Sequence, residues 1–120
     1  MSNQRQNLGR RGEDEAVSYL RKKGYLLLQR NYRCPLGEID IIAREGKTLV
    51  FIEVRSRSSD RFGTPQESVN RKKILKIYKV AQYYLKVVQK EEEPVRFDVL
   101  ALLFDMENQL KHLDHIKGAF

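Results

Sequence analysis

The chain has 120 residues, 41% of them hydrophobic, enough for one modest core, so residues 1–120 are expected to form a single domain. The longest apolar run, Val99 to Phe104, falls far short of the ~18 residues of a membrane span, and Met1 to Asn7 is polar throughout, so a soluble cytoplasmic protein is expected. The net charge of +7 is concentrated in residues 54–90, which hold ten basic against two acidic side chains; this points to a polyanionic partner or, more blandly, to a solvated face.

Leu8 to Lys23 carries Leu8, Ala16, Val17 and Leu20 at helical spacing, with Gly24 as a stop, and predicts a first helix. Tyr25 to Arg33 and Glu38 to Arg44 read as strands separated by the breaker Cys34-Pro35-Leu36-Gly37. Cys34 is the only cysteine, which excludes an intramolecular disulfide and a cysteine-based zinc site. Glu45-Gly46 signals a turn, and Thr48 to Arg55 reads as a third strand that completes a meander.

Ser56 to Pro65 is polar and predicts a mobile loop. From Ser68 to about Gln89 a second helix is expected, with Ile74, Tyr78, Ala81, Leu85 and Val88 on one face and a lysine stripe (Lys72, Lys76, Lys79, Lys86, Lys90) on another. Val95 to Leu103 and Leu110 to Ile116 read as the last two strands. The fold class expected is thus α/β, an αβββαββ sandwich with a sheet that mixes antiparallel and parallel pairing.

Asp40 and Glu53 stand out because they interrupt strands that are otherwise apolar, where an unpaired charge is costly. A turn of two or four residues after Arg44 would put both on one sheet face, and an odd loop would separate them. On a shared face one oxygen-loving divalent cation, Mg²⁺ or Mn²⁺, could sit between them. The alternative is a structural ion-pair cluster with Arg55, Arg57 or Lys47. Arg55 lies two residues past Glu53 and points the same way.

This Asp-x12-Glu-x-Arg hairpin resembles the PD-(D/E)xK pattern of the restriction-endonuclease-like, Holliday-junction-resolvase-like nucleases. Gly9-x-x-Gly12-Glu13, Asn31-Tyr32-Arg33, Gly37-Glu38-Ile39-Asp40, Val50 to Arg55, Phe62-Gly63, Ser68-Val69 with Lys73, Arg96-Phe97-Asp98 and Ala119-Phe120 together resemble the bacterial YraN-type family over nearly the whole length. The resemblance implies a catalytic set of Glu13, Asp40, Glu53 and Arg55, with Asp40 and Glu53 as ligands of Mg²⁺ or Mn²⁺. Gly12 would let the first helix approach the site closely.

Arg55 departs from the superfamily lysine. An arginine stays protonated and can clamp phosphate, but it cannot act as a base, so Lys73 is a candidate for the missing ammonium. Arg57, Arg61, Lys72, Lys73, Lys76 and Lys79 are the expected nucleic-acid contacts. The implied function is a Mg²⁺-dependent endonuclease acting on DNA in preference to RNA, branched DNA included, with a homodimer suited to two-fold substrates. The rivals are an inactive nucleic-acid-binding module and a protein-interaction partner on the same fold. Asp98 reads as an internal ion-pair residue, His112 and His115 as surface histidines, and Tyr83 and Tyr84 as packing residues.

Overall fold

The computed structural model describes residues 4–58 and 70–120, with side chains from Leu8 onward. Helix α1 (Gln4–Lys22) is followed by strands β1 (Leu26–Cys34), β2 (Gly37–Glu45) and β3 (Thr48–Ser58), then helix α2 (Arg71–Val87) and strands β4 (Val95–Phe104) and β5 (Leu110–Ile116). This is the expected αβββαββ order. The five strands form one sheet in the order β1-β2-β3-β4-β5, with β3 and β4 parallel and every other pair antiparallel. A parallel pair needs a long crossover, and α2 lies within it.

Each sheet face carries its own apolar layer. Ala16, Val17 and Leu20 of α1 pack on Ile41, Val50, Ile52 and Leu100. On the opposite face Ile77, Val80, Ala81 and Tyr84 of α2 pack on Ile39, Ile42, Leu49 and Phe51. The buried face of α2 is therefore rotated from the expected one: of the five residues predicted to define it, only Ala81 is fully buried. Ile74, Tyr78, Leu85 and Val88 flank the seam half-exposed, because the sheet contacts a narrower stripe than apolar spacing alone suggests.

Tyr84 packs edge-on against Tyr32 and Phe51 as a core residue, whereas Tyr83 is exposed. The chain end joins the same layer. Ala119 N donates to Phe97 O at 2.7 Å, and the Phe120 ring lies 5.6 Å from that of Phe97.

Two boundaries differ from expectation. Strand β3 continues through Ser56, Arg57 and Ser58, where the polar sequence predicts loop, because parallel pairing with β4 extends to Ser58 opposite Phe104. Helix α2 starts at Arg71, with Asn70 as its cap: the Asn70 Oδ1 accepts from Lys73 N at 2.9 Å. The rest of the expected loop, with Arg61 and Phe62-Gly63, and the expected first helical residues Ser68 and Val69 lie outside the described residues.

A third difference concerns His115, whose side chain is 6% exposed rather than on the surface. Its Nε2 lies 2.7 Å from Asp98 Oδ2 and its Nδ1 3.0 Å from the Tyr19 hydroxyl. Asp98 is fully buried and also accepts from Arg96 Nε (2.9 Å), Arg96 Nη2 (2.9 Å) and Gly118 N (3.0 Å). Every carboxylate lone pair is used, as a buried charge requires. His112 is exposed and pairs with Asp114.

Candidate functional site

The β2–β3 hairpin closes with Glu45 opposite Thr48, an even register that continues to Ile41 opposite Ile52. The backbone ladder ends there. Ile41 packs under α1 whereas Ile39 and Ile42 pack under α2, so strict alternation breaks at Asp40. The pairing beyond this point passes to side chains: Asp40 N donates to Glu53 Oε2 at 3.4 Å, and Val54 N donates to Asp40 Oδ2 at 2.8 Å. The two acids predicted to converge therefore stand side by side, bridged through the main chain.

Their electrostatics are those of a crowded pair. Glu53 is 4% exposed. Burial first, and the adjacent Asp40 carboxylate second, push its carboxyl up to about 7, although Arg55 and Lys73 pull the other way. Asp40 is raised too, mainly by burial and then by Glu13, against the hydrogen bond from Val54 N and the charges of Arg55 and Lys73.

The cations approach one oxygen without closing on it. Arg55 Nη2 lies 3.7 Å from Glu53 Oε1 and Lys73 Nζ 3.9 Å from the same atom. Both distances exceed a hydrogen bond. Among the described residues the buried Nε and Nη2 of Arg55 have no hydrogen-bond partner, an uncommon state for a guanidinium with five donors. Burial first, and then the Arg55 charge, draw the Lys73 ammonium below the ordinary lysine value, while Glu53, Asp40 and Glu38 oppose the shift.

Glu13 reaches this centre from α1. It sits 3.8 Å from Arg30 Nε, and Arg30 also pairs with Asp14, which ties α1 to β1. Gly12 allows the approach: a Cβ there would stand 1.8 Å from Ser56 Oγ and 3.0 Å from Ser56 Cβ. The close contact expected of Gly12 is thus made with β3. Ser56 was not singled out from sequence, although period-two alternation from Val54 puts it on the α1 face.

Five predicted residues, Glu13, Asp40, Glu53, Arg55 and Lys73, come together where the β2–β3 ladder ends, Glu13 from α1 and Lys73 from α2. Arg57 is half-buried on β3, not in a loop, and Arg61 lies outside the described residues. Lys72, Lys76 and Lys79 are exposed along α2. Among the described residues no group of three or more His, Cys, Asp or Glu side chains is placed to hold a metal. A cation here would rest on the Asp40–Glu53 pair. No described helix is long and apolar enough to cross a membrane.

A family model described as "Uncharacterised protein family UPF0102" matches residues 12–102. The chain is 48% identical over 120 residues to a UPF0102 protein of Moorella thermoacetica, covering 100% of both chains. It is 44% identical over 120 residues to a UPF0102 protein of Pelotomaculum thermopropionicum, again covering 100% of both. A UPF0102 protein of Desulfitobacterium hafniense is 48% identical over 98% of this chain and 99% of its own. The matched span contains Glu13, Asp40, Glu53, Arg55 and Lys73.

Proposed function

The chain belongs to the uncharacterised protein family UPF0102, and we propose that it is a cytoplasmic, divalent-metal-dependent endonuclease cutting phosphodiester bonds in DNA, branched DNA included. The observation that carries this reading is the pairing of buried Glu53 with half-buried Asp40 beside an Arg55 guanidinium whose Nε and Nη2 lack hydrogen-bond partners among the described residues. Two carboxylates forced together in a partly dry site favour a cation between them, and unsatisfied guanidinium donors favour an oxyanion.

The donor set fits Mg²⁺ or Mn²⁺. Asp40 commits Oδ2 to Val54 N and Glu53 commits Oε2 to Asp40 N, which leaves Asp40 Oδ1 and Glu53 Oε1 as candidate ligand atoms. Magnesium is commonly held by one or two carboxylates and completed by water and substrate phosphate. When bound, the ion would neutralise phosphate charge and activate water.

The chain's own groups supply the remainder. Arg55 donates to a non-bridging phosphate oxygen, which steadies the charge that builds in the transition state. Lys73 carries a proton held less tightly than in an ordinary lysine and stands beside Glu53, so it suits proton transfer at the reacting phosphate. Glu13 biases the electrostatics of Asp40 from α1. Lys72, Lys76 and Lys79 lie along α2 where they would track the flanking backbone.

Incubation of plasmid, single-stranded and four-way-junction DNA with Mg²⁺ or Mn²⁺ tests the reading. Cleavage that disappears in Asp40→Asn and Glu53→Gln is expected, and intact DNA in every lane contradicts it. One observation favours a second reading, a binding module without hydrolysis: both nearby cations already lean toward Glu53 Oε1. That reading requires salt-sensitive DNA binding that survives both substitutions without any cleavage.

A further inference from the structure

A hollow of about 640 Å³ lies between the β1–β2 turn and the first turns of α2, and Lys73 lines it. Its size is that of a small-molecule site, roughly 300–1,000 Å³. Pro35, Leu36 and Ile77 supply apolar wall, and Lys73 and Lys76 supply cations. Lys73 belongs to both places, since its Nζ also stands 3.9 Å from Glu53 Oε1.

Two features, exposed Leu36 and Lys76, make this hollow suited to a ligand, and Gly37 sets how closely the turn approaches α2. Gly37, at φ +144, adopts a conformation that L side chains rarely take, and a Cβ there would press to 3.2 Å from Val80 Cγ2 and 3.5 Å from Lys76 Cε. Leu36 remains 44% exposed at the rim. Lys76 has no ion-pair partner among the described residues, whereas Arg33 on the same wall is paired with Glu38 at 3.0 Å. A free cation next to an apolar wall matches a group that joins a phosphate to a flat apolar body.

We propose that this hollow receives one unpaired nucleotide of the substrate strand, immediately beside the phosphate to be cut. Its phosphate lies on Lys76 and Lys73, and its base lies against Pro35, Leu36 and Ile77. A base stacked inside a duplex cannot enter such a recess without leaving the stack, a cost that an already unpaired nucleotide does not carry. The substrate class is therefore DNA with single-stranded character at the cut, such as a flap, a gap or the opened centre of a branch. The inference rests on the nuclease reading only for which phosphate is cleaved.

The test separates the two claims by measuring binding without metal. In ¹H–¹⁵N spectra of the full chain, thymidine 5′-monophosphate should shift the amides of Leu36, Gly37, Lys76 and Ile77, and inorganic phosphate at equal concentration should leave those of Leu36 and Ile77 in place. Leu36→Ser, at an exposed turn, should weaken binding of a single-stranded oligonucleotide at least threefold and leave blunt duplex binding unchanged. Equal shifts from nucleotide and phosphate, or equal losses on both DNAs, overturn the proposal. Metal-dependent cleavage without nucleotide shifts overturns the pocket alone. Nucleotide shifts without any cleavage uphold the pocket and contradict the nuclease.

Discussion

Asp40 and Glu53 are joined through the main chain, with Asp40 N donating to the Glu53 carboxylate and Asp40 itself accepting from Val54 N one residue beyond. The arrangement fixes two acids together at the cost of raising both. Glu53, ordinarily at 4.5, is held at about 7 by burial and then by Asp40. For a raised carboxyl the stability contribution is complete below pH 4.5 and is lost as pH rises through about 7. In EDTA, the parent should therefore lose stability between pH 5 and pH 8 relative to Glu53→Gln, by at most about 3 kcal/mol. Paired thermal or urea unfolding at the two pH values measures this; a parent-to-variant difference independent of pH contradicts it.

Gly12 permits α1 to rest on β3. Gly12→Ala would drive a methyl into Ser56, and overpacking of this kind costs about 1–3 kcal/mol, more than the ~1 kcal/mol gained from helix propensity. The double variant Gly12→Ala with Ser56→Gly should recover part of the loss. A double-mutant cycle by denaturant unfolding reads the coupling directly; strictly additive effects would place the contact elsewhere.

Asp98 anchors the Arg96–His115–Tyr19 network at the buried junction of β4 and β5. Burial alone would raise its carboxyl, but the hydrogen bonds from His115, Arg96 and Gly118 N outweigh that and hold it at about 2. A depressed carboxyl stabilises above its ordinary value near 3.8 and loses that contribution as pH falls through about 2. Acid titration should therefore remove about 2 kcal/mol between pH 4 and pH 2, and this step should be missing in Asp98→Asn. That variant removes the carboxylate that Arg96 and His115 share, while Arg96 keeps Glu45 and the Tyr25 hydroxyl at 2.8 Å each, and should cost about 1–3 kcal/mol at pH 7. Loss below 1 kcal/mol would show the network to be dispensable.

The division of labour among the cations is open to kinetics. Lys73→Met should lower single-turnover cleavage by about 10²–10³-fold, as expected for loss of a group acting on transition-state charge, a larger effect than the weakening of DNA binding that loss of its phosphate contact brings. Lys79→Ala should instead weaken DNA binding and flatten its salt dependence by about one unit of slope. Lys73→Met affecting affinity alone would reduce Lys73 to a phosphate contact.

Much of the fold was legible because its signals are local. The apolar runs of β3 and β4, the Gly37 break and the spacing of Ala16, Val17 and Leu20 each specify their element directly. Convergence of Asp40 and Glu53 followed from an even-register turn, although the break in alternation at Asp40 did not, since it arises from Ile39 joining the α2 layer. What the sequence hid depends on pairing between distant segments. Ser56 to Ser58 looked like loop because only parallel pairing with β4 makes them strand. His115 looked like a surface residue because its partner Asp98 becomes its neighbour only once β4 and β5 are in register. The β1–β2 turn read as a mere breaker, and its hollow exists only because α2 packs against it.

Calorimetric titration of the metal-free protein with Mg²⁺ and with Mn²⁺, in parallel with Asp40→Asn, tests the central claim most directly. One specific divalent site per chain in the parent, absent from the variant, is the predicted result. A parent that takes up neither ion, or a variant that binds as the parent does, would contradict it.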